Sequence, residues 1–261
     1  MNEITSRTNE TVKDVCALCA DASLRRARGL CVVHGVKLCG EAARRTGLAA
    51  LYATPAALER YGAEIGAMCP PQAVTVVSAP VAEKMSGQPA PQGVVGVARL
   101  PAPVPPERLG DRRRALVLCA LQDPANVGAA VRTAAAFGYT AVELSDDCAD
   151  LFSPKALRAS MGAAFAVDTF SFGDGPALAR TLEAGGFLCV ATALTDAARP
   201  VTDIPMDGRL ALFIGNEGHG LPRGVIDACG ACAVIPIGDR VESLNASAAA
   251  AVCMWVLRDG R

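Results

Sequence analysis

The chain has 261 residues, of which 51% are hydrophobic, 20% charged and 4% aromatic, a balance that builds aliphatic cores and leaves few large stacking side chains. The longest apolar stretch, Ala246 to Leu257, is interrupted by Ser247 and falls short of the roughly 20 residues a membrane span requires. Met1 to Asp21 carry Glu3, Arg7, Glu10, Lys13 and Asp14 without an apolar run, so neither a membrane protein nor a secreted one is expected, and the cytoplasm is the predicted location.

Short β-branched runs at Leu30 to Val33, Val74 to Val77 and Val94 to Val97 alternate with segments of helical composition at Val36 to Thr46 and Pro55 to Tyr61. Residues 1–100 therefore read as a small α/β domain. Pro101 to Pro106 holds four prolines in six residues and runs into the charged stretch to Arg114. Proline fixes φ and removes a donor, so 101–114 reads as a linker.

Beyond it, in 115–261, strands are predicted at Ala115 to Leu121, Ala141 to Leu144, Leu188 to Ala193, Leu210 to Ile214 and Ala233 to Ile237. Helices are predicted at Asn126 to Phe137, ended by Gly138, and at Pro154 to Met161, Gly175 to Ala184, Pro222 to Asp227 and Leu244 to Leu257. Such alternation implies a parallel sheet covered on both faces, with ligands at the carboxyl ends of its strands.

The net charge of −1 conceals an asymmetry. Up to Arg114 there are fifteen Lys and Arg against ten Asp and Glu, and thereafter ten against sixteen. A polyanion such as RNA would be drawn to the first part, around Arg25, Arg26, Arg28, Arg44, Arg45 and Arg112 to Arg114; solvated helix faces explain the same charges equally well.

Eleven cysteines is an odd number in a chain long enough to need no disulfides. The pairs Cys16/Cys19 and Cys229/Cys232 are far apart in sequence and near neither histidine, so they read as small core hydrophobes and no metal is expected. There is no GxxxxGK[ST], and Gly215-Asn-Glu-Gly-His-Gly220 has the wrong glycine order for a dinucleotide fingerprint.

Three loops stand out. In the first, Asn126 falls where a helix N-cap would be, Gly128 permits close backbone approach, and Arg132 is the one cation on an apolar helix, explicable alone as an ion-pair partner. In the second, a buried strand enters Gly215 to Gly220; a tight turn explains the glycines but not Asn216 and Glu217 between them. In the third, Ser243 is a plausible N-cap, while Asn245 and Ser247 sit in a first turn where such residues are poor helix formers unless they bind something.

In order and spacing the three loops resemble the signature of the SpoU-type RNA ribose 2′-O-methyltransferases of the SPOUT superfamily. The matching motifs are N-x-G-x-x-x-R at Asn126 to Arg132 with Phe137-Gly138, G-N-E-G at Gly215 to Gly218, I-P-I-G at Ile235 to Gly238, and S-L-N-x-S at Ser243 to Ser247. The N-terminal part looks like the L30e-like substrate-binding domain common in that family, through Val33-His-Gly35, Lys84-Met-Ser86 and Pro91-Gln-Gly93, although His34 stands where many relatives carry Glu.

The resemblance implies a C-terminal α/β domain with a parallel sheet tied in a trefoil knot and a smaller L30e-like α/β domain before it. The implied activity is methyl transfer from S-adenosylmethionine to a ribose 2′-hydroxyl of structured RNA, ribosomal before transfer RNA, by a homodimer; a non-catalytic RNA-binding or ribosome-assembly protein is the alternative. The implied catalytic set is Asn126, Arg132, Glu217, Ser243 and Asn245. The implied cofactor set is Thr192, Ala193, Leu194, Gly215, Asn216, Ile235, Ile237, Leu244 and Ser247, with Arg25, Arg26, Arg28, Lys84 and Gln92 for RNA.

Overall fold

The β-branched runs of the N-terminal part become strands of one sheet in a computed structural model that describes residues 3–87 and 92–259. The chain divides into two units, Met1–Pro101 with Asp150–Phe165, and Ala102–Ala149 with Ala166–Arg261. In chain order the first holds β1 (Glu3–Ile4), α1 (Glu10–Ala20), α2 (Ala22–Arg28), β2 (Leu30–His34), α3 (Val36–Arg45), β3 (Leu48–Ala53), α4 (Pro55–Met68), β4 (Val74–Val77), α5 (Ala79–Ser86) and β5 (Val94–Arg99).

The strand order is β1-β4-β3-β5-β2, with β5 antiparallel to both neighbours. Val12, Val15 and Leu18 of α1 pack with Val81, Ala82 and Met85 of α5 over Val32, Val77 and Val95. Each such fully buried aliphatic contributes roughly 1.5–3 kcal/mol. Of the segments quoted for the L30e resemblance, Pro91 lies outside the described residues.

The second unit continues with β6 (Arg114–Leu118), α6 (Pro124–Ala136) and β7 (Ala141–Ser145); α7 (Pro154–Ser160) groups with the first unit. Then follow β8 (Asp168–Phe172), α8 (Gly175–Ala184), β9 (Phe187–Thr192), β10 (Arg199–Pro200), β11 (Arg209–Ile214), α9 (Arg223–Ala228), β12 (Ala231–Val234) and α10 (Ala246–Val256). Seven strands form one wholly parallel sheet in the order β10-β12-β9-β11-β6-β7-β8. One face buries Val117, Cys189, Ala211 and Phe213 against Leu178 and Leu182 of α8 and Val225 of α9. Helices α6 and α10 pack together, and α10 also meets β11.

Helix α6 ends as expected, with Gly138 at φ +81° and the Tyr139 N–H donating to Ala134 O (2.9 Å). It starts two residues before the expected Asn126, because Asp123 caps it by accepting from the Ala125 N–H (3.0 Å) and Pro124 takes the first turn. Strand β12 stops at Val234, one residue short of Ile235-Pro236, where the predicted strand had run to Ile237.

The proline-rich stretch is no free spacer. Val104 N–H donates to Thr169 O (2.9 Å), Leu109 is 1% exposed in the core, and Arg112 pairs with Asp168 (2.5 Å). Arg114, expected within a basic patch, is buried: its guanidinium donates to Leu257 O (2.8 Å), Gly208 O (2.8 Å) and Met206 O (3.1 Å) and pairs with Asp259 (2.8 Å). Partners more than ninety residues away in sequence make a buried cation tolerable there. Among the described residues no helix is long and apolar enough to cross a membrane.

Candidate active site

The carboxyl ends of β9, β11 and β12 lie side by side, and the chain beyond each lines one cavity of about 400 Å³. Its walls are Thr192 to Thr195, Ile214 to Asn216 and Ala233 to Ile235; Ile237, Ser243 and Leu244 close one side, and Ala246, Ala249 and Cys253 of α10 another. Most of these side chains are aliphatic. Leu194 is 76% exposed and Ile237 and Leu244 are also exposed, so apolar surface stands open to solvent at the cavity.

The second loop is a closed turn. Asn216 N–H donates to Gly220 O (3.1 Å) and Gly220 N–H returns to Asn216 O (2.9 Å). A Cβ on Gly215 would lie 2.3 Å from the carbonyl carbon of Gly220, so only glycine fits where the two backbones touch. The Asn216 side chain is fully used inside the protein: Nδ2 donates to Ala120 O (2.7 Å), and Oδ1 accepts from the N–H groups of Gly218 (2.8 Å) and His219 (3.2 Å). Asn216 therefore meets the cavity with its backbone.

Three loops meet in a chain of amides. Asn126 Nδ2 donates to Glu217 Oε1 (2.6 Å), while Asn126 Oδ1 accepts from Asn245 Nδ2 (3.1 Å). Asn245 Oδ1 accepts from Ser247 Oγ (2.7 Å) and from the N–H groups of Ser247 (3.0 Å) and Ala248 (3.3 Å). Asn245 is thus the cap of α10, the role expected of Ser243, and Asn126 is freed from capping because Asp123 does it. Ser243 lines the cavity instead.

Of the predicted cofactor residues, Ser247 alone does not line the cavity; of the predicted catalytic residues, Glu217 and Ser243 do. Arg132 lies outside it, exposed on α6, and among the described residues forms no hydrogen bond or ion pair, which removes the structural ion-pair explanation. The sequence reading missed Thr195, His219 and Glu242, which also line the cavity. His219 was visible inside the glycine loop; Thr195 and Glu242 carry no local signal.

In the first unit the expected RNA contacts separate. Arg25 is 3% exposed, paired with Asp150 (2.6 Å) and donating to Leu18 O (2.6 Å) and Cys19 O (2.9 Å), so it is withdrawn from any phosphate. Arg28 is exposed but paired with Asp14 (2.6 Å). Gln92 Oε1 accepts from Val36 N–H (3.2 Å) at the start of α3. Arg26 and Lys84 are exposed. The thiols of Cys16 and Cys19 face the carbonyls of Lys84 (3.5 Å) and Met85 (3.6 Å), tying α1 to α5. Burial pushes Cys19 up to about 11 and Cys229 up to about 12, so both stay protonated. Among the described residues no group of three His, Cys, Asp or Glu is placed to hold a metal.

The model of the SpoU rRNA Methylase family matches residues 113–255, more than half of the chain and all three loops. The chain belongs to the SpoU rRNA methylase family. It is 35% identical over 168 residues to the 23S rRNA (guanosine(2553)-2′-O)-methyltransferase RlmP of Bacillus subtilis, a match covering 64% of this chain and 65% of that protein. It is also 35% identical to the 23S rRNA (guanosine-2′-O-)-methyltransferase RlmB of Acinetobacter baylyi, over 66% of this chain and 73% of the relative. The match thus spans just under two thirds of RlmP. The crystal structure of an AdoMet-bound rRNA methyltransferase from Sinorhizobium meliloti superposes with a TM-score of 0.86 at 28% identity, covering 98% of this SpoU chain and 97% of that one.

Proposed function

We propose that this SpoU protein transfers a methyl group from S-adenosylmethionine to a ribose 2′-hydroxyl of ribosomal RNA, in the cytoplasm and as a homodimer. The observation that carries the proposal is the joining of Asn126, Glu217 and Asn245, from three loops, with Glu217 also lining the cavity. S-adenosylmethionine bound to the Sinorhizobium meliloti relative supports the choice of cofactor.

The cavity fits that cofactor in size and chemistry. About 400 Å³ lies within the range of small-molecule pockets, and exposed Leu194, Ile237 and Leu244 offer flat apolar contact to a heterocycle. Backbone groups of Gly215, Ile235 and Leu244 would supply its polar contacts. When bound, S-adenosylmethionine supplies the electrophilic methyl group.

Transfer to oxygen requires alignment of the hydroxyl and stabilisation of the charge that develops on it. The Asn126, Glu217 and Asn245 chain, with Ser243 beside it, would orient the ribose. A guanidinium is a poor general base, so the role of Arg132 is to grip a phosphate and stabilise developing alkoxide charge, with the hydroxyl proton passing to phosphate or water. Without a partner among the described residues, the guanidinium is available for that contact.

The exposed stripe of α10, with Val252 and Trp255, and the exposed Arg132 and Ala136 on α6 support assembly of two copies through these helices. The run 235–245, which leads from β12 back to a helix packed on α6, fits the knotted arrangement implied by the family resemblance. The first unit, with exposed Arg26 and Lys84, is read as the L30e-like RNA-holding part. With few aromatic side chains, its grip would rely on shape and phosphates.

The test is incubation with ribosomal RNA and labelled S-adenosylmethionine, digestion to nucleosides and mass spectrometry. A 2′-O-methylnucleoside is expected. A base-methylated product, or cofactor binding without transfer, would refute the proposal, and a fully active monomer in sedimentation would refute the dimer.

A further inference from the structure

Strand β6 ends in an unusual joint. Ala120 has φ +57°, the left-handed region that a residue with a Cβ rarely adopts. Both peptide groups flanking it are held by side chains from other strand ends. Its N–H donates to Ser145 Oγ (2.8 Å) at the end of β7, and its carbonyl accepts from Asn216 Nδ2 (2.7 Å) just past β11. The Ser145 hydroxyl donates to Asp147 Oδ1, which leaves its lone pairs turned to Ala120.

The loops after β6 and β7 are laced further. Gln122 Nε2 donates to Asp147 O (2.7 Å), Ala149 N–H donates to Leu121 O (2.8 Å), and the Cys148 thiol donates to Leu118 O (3.3 Å). Residues 145–149 belong to none of the three motif loops, yet they are bonded to the stretch that leads into the first.

Asn126 follows Ala120 by six positions, and the first turn of α6 fills the last three of them. A change of φ at Ala120 swings the start of that helix as a lever. The contacts of Asn126 to Glu217 (2.6 Å) and Asn245 (3.1 Å) are lost once separation passes about 3.5 Å.

We infer that Ser145, oriented by Asp147, is a positioning residue for methyl transfer, holding Ala120 in its left-handed turn and so setting Asn126 against Glu217 and Asn245. The inference rests on the methyltransferase reading of the cavity. It assigns to the end of β7 a function in a reaction whose other residues come from α6, from the loop after β11 and from the stretch leading into α10.

The experiment measures kcat and KM for methyl transfer to ribosomal RNA with wild type, Ser145→Ala, Ser145→Thr, Ala120→Gly and the double variant Ala120→Gly/Ser145→Ala. Ser145→Ala is expected to lower kcat roughly tenfold to a hundredfold, with KM for S-adenosylmethionine changed by less than about twofold. Ser145→Thr, which keeps the hydroxyl, restores most of kcat.

Glycine adopts φ +57° without penalty, so in the Ala120→Gly background the loss from Ser145→Ala shrinks to about threefold or less. An equal loss in both backgrounds would mean that Ser145 does not act through Ala120, and an unchanged kcat in Ser145→Ala would end the inference outright. If Ser145→Ala does not fold, Asp147→Asn at an exposed position serves instead: kcat falls at constant KM, or the inference is wrong. A wild type that transfers no methyl group overturns the activity and the inference together, whereas an active wild type with silent variants overturns the inference alone.

Discussion

Glu143 allows a quantitative test of the second unit's core. It lies on β7 between Val117 of β6 and Phe170 of β8, is 1% exposed, and its Oε2 is buried with no hydrogen-bond partner among the described residues. Burial first, then the negative charges of Glu107 and Asp168, push its carboxyl from the ordinary 4.5 up to about 8. The folded chain therefore holds a proton that the unfolded chain releases, and stability falls as pH rises from 4.5 through about 8.

At about 1.4 kcal/mol per tenfold change in proton affinity, the loss between about pH 5.5 and about pH 8.5 is on the order of 3 kcal/mol. For a chain of this size that is roughly 5–10 °C in melting temperature. Glu143→Gln keeps the shape and removes the titration. Thermal melts of both proteins across that range are expected to diverge, with the variant increasingly the more stable at high pH. Parallel profiles would show that Glu143 ionises at its ordinary pH and that its surroundings are not as apolar as described.

Arg132→Ala is expected to lower methyl transfer roughly a hundredfold to a thousandfold with melting temperature and S-adenosylmethionine affinity nearly unchanged, as calorimetry and turnover assays would report. Asn245 separates cap from contact: Asn245→Asp keeps the acceptor for α10 and its stability but loses the donation to Asn126 and most activity, whereas Asn245→Ala also costs about 1 kcal/mol of stability in denaturant titration. Burial and the nearby Arg158 hold His34 neutral down to about 4, so stability drains as pH falls from 6.5 through about 4. Melts of His34→Gln over that range are expected to show a smaller acid-side loss than wild type.

Patterns carried by neighbouring residues were legible before the structure. Five of the seven strands of the parallel sheet stand at predicted apolar runs, and Gly138 closes α6 as its position suggested, because both depend on contacts within a few residues; β8 and β10 were not foreseen. The three loops were legible as a group, and their amide chain joins Asn126 to residues 91 and 119 positions away.

What escaped was set by distant partners. Arg25 and Arg114 look like surface cations until Asp150, Asp259 and backbone carbonyls far along the chain enclose them. The prolines of 101–105 carry neither helix nor strand, as expected, and a 3₁₀ turn opens at Pro106, but the bond from Val104 to Thr169 makes that stretch part of a core. Capping moved from Ser243 to Asn245 because two residues only two positions apart had the right chemistry and only the path of residues 235–245 chose between them.

The membership of Asp150–Phe165 in the first unit bears on how this protein could be rebuilt. The polypeptide passes from one unit to the other three times, at 101, 149 and 165, so a single cut cannot separate them. A fragment ending at Pro101 would leave Arg25 a solitary cation in an apolar interior, without its carboxylate. Chimeras that exchange the first unit between relatives must carry both pieces, and those spliced only at the prolines are expected to express as aggregates.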